Sequence, residues 1–176
     1  VYFLTSKKLE DKPWAREAID EIFYIDQGPE NEWHMPDVIG GLAWLMRTHK
    51  IDRIVALDDF DVEKGAELRE HFRIPGMGQT TARHFRDKLA MRFKAAEAGI
   101  RVPAFSSLFN DEDIHQFVAA TPAPWIVKPR GQASATGMKT AGEIMPRSGC
   151  FQRSSTSAPT SSLVNGLIFG WKYSSS

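Results

Sequence analysis

Three short runs rich in β-branched and aromatic residues, Val1–Thr5, Ile22–Ile25 and Arg53–Leu57, are separated by two stretches with helical spacing. That alternation constrains the fold more than any other feature of the chain. Strands that alternate with helices imply a parallel sheet, because each crossover helix packs back onto a sheet face. The first helix is expected after Pro13, a residue suited to the first helical position, with Trp14, Ala18 and Ile19 on one side. The second is expected after Pro36 and places Val38, Ile39, Leu42, Leu45 and Met46 at helical intervals. Its adjacent Gly40 and Gly41 cost about 1 kcal/mol each against alanine, and close helix–sheet packing is the simplest reason for them.

Further along, a helix is expected from about Val62 to Phe72, followed by a turn at Ile74–Gln79. Thr80 or Thr81 suits the cap of a long helix ending near Gly99, with Phe85, Leu89, Phe93 and Ala96 as its buried stripe. Ile100–Phe105 reads as a short extended segment. Asn110 suits the cap of a helix whose Ile114, Phe117 and Val118 face inward, and Trp125–Lys128 reads as a strand. From about Ala141 the periodicity fades. Residues 141–176 contain one acid, Glu143, and are crowded with serine, threonine and glycine; only Ser162–Phe169 has the pattern of a strand. Such a segment buries little apolar area against its chain entropy. It reads as an irregular tail, or as sequence foreign to the fold.

A length of 176 residues allows one large domain or two small ones. The formal net charge of zero argues against non-specific nucleic-acid or anionic-membrane binding. No apolar run approaches membrane-spanning length. The single cysteine, Cys150, excludes an internal disulfide framework and fits a reducing, cytoplasmic compartment. Because the chain opens on an apolar run without an initiator methionine, it is expected to be a fragment entered partway through a domain.

The segment from Trp125 to Met138 carries the clearest chemistry. A strand ending in Lys128 leads directly into a loop of small residues that includes Gly131, Ser134, Ala135, Gly137 and Met138. This order sets an ammonium beside unobstructed backbone N–H groups, which suits nucleotide phosphates. Pro129 biases Lys128 to an extended conformation and so fixes where its ammonium projects. The competing reading is a solvated lysine followed by an ordinary hairpin loop. Lys88, at the margin of a helical apolar face among Arg83, Arg86, Asp87 and Arg92, is by itself a solvated residue; it gains interest only when paired with Lys128.

Asp58, Asp59, Asp61 and Glu63 form the sharpest acidic cluster. Carboxylates at a strand end can bind a ribose, a substrate or a hard metal, but they also suit helix capping, which is the simpler use. The run from Gly76 to Thr81 begins like a dinucleotide fingerprint but lacks its third glycine, and Pro75 stands where a strand should enter the turn. No Walker A motif is present, the five histidines have no metal-ligand spacing, and no catalytic nucleophile is assigned.

Taken together, Arg53–Asp61, Ile74–Pro103 and Pro124–Met138 resemble the ATP-grasp superfamily, in particular the carboxylate ligases related to biotin carboxylase and carbamoyl-phosphate synthetase. The matching elements are Asp87–Lys88 at a helix start, the Gly99–Pro103 step, and the strand ending in Lys128 before Gly131–Gly137. The resemblance covers roughly residues 1–140. It implies an α/β fold: a Rossmann-like pre-ATP-grasp domain with a parallel sheet at 1–75, lacking its first βα unit, then a linker helix and a partial ATP-grasp α+β lobe at 76–140. Residues 141–176 would be the tail.

The resemblance also implies an ATP-dependent ligase joining a small-molecule carboxylate to an amine or thiol through an acylphosphate. Lys88 and Lys128 would contact the phosphates, the 131–137 backbone would close over them, and Asp58 and Asp59 would help form the acceptor side. Mg²⁺ is expected for a full-length parent, but no metal ligands are assigned in this chain, because no acid follows Glu143. The fragment alone is therefore expected to be inactive. The alternative is a Rossmann-like module that binds a dinucleotide or small ligand at Asp58–Asp61 without ligase chemistry.

Overall fold

The computed structural model describes residues 1–29, 31–131, 139–140 and 166–170. Two compact units divide the chain. The first holds Val1–Val55 and Glu67–Gly76; the second holds Ala56–Ala66 and the chain from Met77 onward.

In the first unit, β1 (Tyr2–Ser6) and β2 (Glu21–Ile25) pair in parallel, with Tyr2 opposite Glu21 and Ser6 opposite Ile25. The helix expected after Pro13 does not form; the crossover contains only two short 3₁₀ turns, Lys7–Leu9 and Arg16–Ala18. Trp14 explains the difference. Its indole N–H donates to the Leu9 carbonyl at 3.0 Å, and its ring meets the Phe3 ring edge-on at 4.8 Å. A stretch this short has little helical stability of its own to set against such contacts.

The helix expected after Pro36 is present as α1 (Met35–Leu45). Val38 and Leu45 are buried, and Ile39, Leu42 and Met46 are half-buried, so the apolar stripe is as read. The glycines are not explained by packing, however. Gly40 and Gly41 are exposed, and a Cβ on either would meet nothing within 4 Å. Arg53–Leu57 is likewise no strand: it joins no ladder, and Val55 and Leu57 are strongly exposed. β-Branched residues make a strand only where a neighbouring edge accepts their hydrogen bonds.

Helix α2 (Val62–His71) ends on Arg73 in the left-handed region, at φ 55°. Ile74 N–H donates to the Arg69 carbonyl at 2.9 Å and Arg73 N–H to the Glu70 carbonyl at 3.3 Å. These are the two bonds of a Schellman ending. Just beyond, Gly76 at φ 150° leaves room for Arg69, whose Cδ lies 2.6 Å from where a Cβ would stand. The Arg69 guanidinium donates to the Ile54 carbonyl at 2.7 Å.

In the second unit, the expected long helix is two: α3 (Gln79–Arg86) and α4 (Lys88–Glu97), broken at Asp87. Gly78 occupies the N-cap position of α3 in place of either threonine. The break also undoes the expected stripe: Leu89 is buried, but Phe85, Phe93 and Ala96 are exposed. The far end of α4 is as read. Gly99 sits at φ 76°, Ile100 N–H reaches the Ala95 carbonyl at 2.9 Å, and Gly99 N–H reaches that of Ala96 at 3.0 Å. After β3 (Phe105–Ser107), Asn110 caps α5 (Asp111–Ala120) by accepting the Glu112 N–H at 2.8 Å, and Ile114 and Phe117 are buried.

Three more strands complete an antiparallel sheet: β4 (Trp125–Pro129), β5 (Lys139–Thr140) and β6 (Gly166–Gly170), in the order β3-β6-β4-β5. Thus a piece of the stretch read as irregular is an interior strand, within the one segment there that had a strand pattern. Leu167 and Phe169 of β6 pack with Leu89 of α4, and Phe105 and Ile126 lie against them. Each such side chain contributes about 1.5–3 kcal/mol when fully buried, and Leu167 is 0% exposed. Among the described residues, no helix is long and apolar enough to cross a membrane.

Candidate functional site

Opposed residues in neighbouring strands share a face. Ile126 opposes Phe169 and Lys128 opposes Leu167, so all four side chains lie on the sheet face that Leu89 of α4 covers. The strand register therefore sends Lys128 to the side of the sheet on which α4 begins. Its ammonium stands 5.2 Å from the centre of the Phe169 ring, and the Arg92 guanidinium from α4 stands 4.6 Å from the same ring. The negative face of an aromatic ring attracts cations and holds their stems in place.

Lys88 is the first residue of α4. Its backbone N–H donates to the Arg130 carbonyl at 3.1 Å, and its ammonium lies 3.4 Å from the same oxygen. Burial lowers the Lys88 pKa, and repulsion from Arg86 and Lys128 lowers it further, against the opposing pull of Asp87.

Asp87 organises this corner. Its Oδ1 accepts the N–H groups of Leu89 at 2.9 Å and Ala90 at 3.3 Å, which starts α4. Both carboxylate oxygens also engage Arg130, with Nε 3.0 Å from Oδ1 and a terminal guanidinium nitrogen on Oδ2. Burial alone would raise the Asp87 pKa. Hydrogen bonds from Arg130 and the two backbone N–H groups, with the guanidinium charge, outweigh it and hold the carboxyl below its usual range. Reciprocally, the Asp87 bond raises the Arg130 pKa. Arg86 completes the corner: one guanidinium nitrogen meets Asp59 at 2.7 Å, another donates to the Gly131 carbonyl at 3.1 Å, and the group lies over the Phe60 ring.

Of the sequence-selected residues, Lys88, Lys128 and Gly131 therefore fall in one corner. Gly131 is exposed with open space around it, so packing does not demand a glycine there. Ser134, Ala135, Gly137 and Met138 lie outside the described residues. Asp58 is engaged in the turn ahead of α2: its Oδ1 accepts the N–H of Phe60 at 2.8 Å and of Asp61 at 3.1 Å. Asp61 pairs with Lys64 at 3.1 Å. Sequence reasoning missed the role of Arg130, although a cation two residues after Lys128 and an acid just before Lys88 were the available signal.

No family profile matches this sequence, and no curated protein does. Solved structures do. An L-amino acid ligase from Bacillus licheniformis superposes with a TM-score of 0.59 and 17% identity, over 96% of this chain and 36% of that one. The ADP complex of N5-carboxyaminoimidazole ribonucleotide synthetase gives 0.51 and 12%, over 89% of this chain and 37% of that one. The likeness is to an ATP-grasp fold. At these identities it is a statement of fold alone. The chain spans little more than a third of the length of either enzyme.

Proposed function

We propose that this chain is the phosphate-binding portion of an ATP-grasp ligase that joins a small-molecule carboxylate to an amine or thiol. The observation that carries the reading is the corner itself. Among the described residues, Lys88 and Lys128 share it with Arg86, Arg92 and Arg130, five cations beside the carboxylates of Asp59 and Asp87. A half-buried group of that charge is stabilised by an anion, and charged hydrogen bonds are worth about 1.5–3 kcal/mol each. Two structures of the same fold support the reading, one a ligase and the other a synthetase holding ADP.

In the implied reaction, a substrate carboxylate oxygen attacks the γ-phosphorus and displaces ADP. The nucleophile then attacks the acyl carbon and releases phosphate. The part of this chain is to hold and neutralise phosphate oxygens with Lys88 and Lys128. Among the described residues, no group of three or more His, Cys, Asp or Glu side chains could hold a metal ion. Mg²⁺ enters the reading only for a longer parent. The alternative, a dinucleotide module at Asp58–Asp61, gains nothing from the geometry, since Asp58 is engaged by backbone N–H groups and Asp59 by Arg86.

Titrating the 176-residue chain with ATP and NADH tests this directly. ATP is expected to bind and NADH not to compete with it. Lys128→Ala is expected to weaken ATP binding about tenfold, the worth of one charged hydrogen bond. Unchanged affinity in that variant overturns the role of Lys128, and NADH binding without ATP binding overturns the whole reading.

A further inference from the structure

We propose that the α3–α4 junction is a clamp on the end of β4, in which Arg86, Asp87 and Arg130 act as positioning residues that fix Lys88 relative to Lys128 and so favour polyphosphate over monophosphate nucleotides. The inference rests on the phosphate-binding reading above and adds a specificity to it. Its basis is a set of contacts that all converge on two residues. Asp87 takes Arg130 with both carboxylate oxygens, the Lys88 N–H donates to the Arg130 carbonyl, and Arg86 donates to the Gly131 carbonyl. Arg130 and Gly131 directly follow the strand that carries Lys128, and Arg86 and Asp87 directly precede Lys88.

A bidentate carboxylate–guanidinium pair fixes orientation as well as distance, which a single point contact does not. The same Asp87 carboxylate starts α4. Any shift of Arg130 is therefore passed to the first turn of the helix and to Lys88. The clamp also adds little net charge, because Asp87 offsets Arg130. Its effect is to hold two ammonium groups near each other against their repulsion. A polyphosphate has enough anionic oxygens to reach both, whereas a single phosphate satisfies one.

The test is equilibrium binding of ATP and of AMP to the full chain and to the variants Arg130→Ala, Arg130→Lys and Arg86→Ala, with folding checked by thermal melting. Arg130→Ala is expected to lower ATP affinity about tenfold and AMP affinity less than twofold, a charged hydrogen bond's worth of positioning. Arg130→Lys should fall between, since it restores the charge without the fork. Arg86→Ala, which leaves the Asp87–Arg130 pair intact, should shift the ATP-to-AMP ratio in the same direction and serves if Arg130→Ala fails to fold. Equal losses for ATP and AMP, or no loss for either, overturn the clamp and leave the phosphate-binding reading standing. A wild-type chain that binds neither nucleotide overturns both.

Discussion

Asp58 and Asp87 perform the same local task in very different surroundings. Each carboxylate accepts the backbone N–H groups two and three residues further on, Phe60 and Asp61 in one case, Leu89 and Ala90 in the other. Asp58 does this at an exposed turn. Asp87 is 8% exposed and is also gripped by Arg130, 43 residues away in sequence. Local chemistry gives each carboxylate its nearby N–H groups, closing a turn at Asp58 and capping α4 at Asp87. Only the distant partner turns one of them into the organiser of a charged corner.

The comparison predicts unequal costs. Asp87→Ala should destabilise the protein most, by about 3 kcal/mol, because it removes a cap and strands a partly buried guanidinium. Urea unfolding followed by tryptophan fluorescence measures it, and a cost no greater than that of Asp58→Ala would break the comparison. Arg130→Ala should cost less, about 2 kcal/mol, since Asp87 keeps its two backbone donors. The same unfolding assay ranks the two.

Acid sharpens the contrast. The folded pKa of Asp87 is lowered, so its stabilisation is fully present above the unfolded value of about 3.9 and is lost as pH falls through the folded value. Asp87→Asn keeps the capping chemistry but not the charge. Its deficit against wild type should be constant near neutrality and shrink below about pH 4, when stability is measured across pH. A deficit that stays constant into acid would deny the charge its role. Asp58→Ala should cost about 1 kcal/mol, the worth of an ordinary exposed hydrogen-bonded turn. At the small end, Arg73→Gly should raise the thermal midpoint slightly, by roughly 0.5 kcal/mol of stability, because Arg73 holds a left-handed position that Gly99 fills without strain in the matching ending of α4.

What could be read beforehand follows the same division. Asn110 as a cap, Gly99 as a stop, the α1 stripe and the strand at Trp125–Lys128 are all decided by neighbours in sequence, and all stand in the structure. The break at Asp87 was hidden because residues 79–98 contain neither glycine nor proline. A partner beyond residue 129 supports it. Arg53–Leu57 looked like a strand because its residue types suit one, yet strand formation also needs an edge to pair with. Trp14 was counted toward a helix before its bond to Leu9 and its contact with Phe3 could be known. In the candidate site, the two lysines were legible from their order along the chain. The arginines that position them were not, since the order of residues gives an acid before Lys88 and a cation after Lys128 but not that the two meet across 43 residues.

The placement of β6 has a consequence for how this protein is made. Phe105 and Ile126 both oppose Phe169, so β3 and β4 meet across a strand that leaves the ribosome long after them. Until then both present bare edges, the kind of surface that recruits chaperones or neighbouring chains. Pairings between residues so distant in sequence form slowly. The helices can form as they emerge, but the sheet on which Lys128 stands must wait for Gly166–Gly170 to arrive.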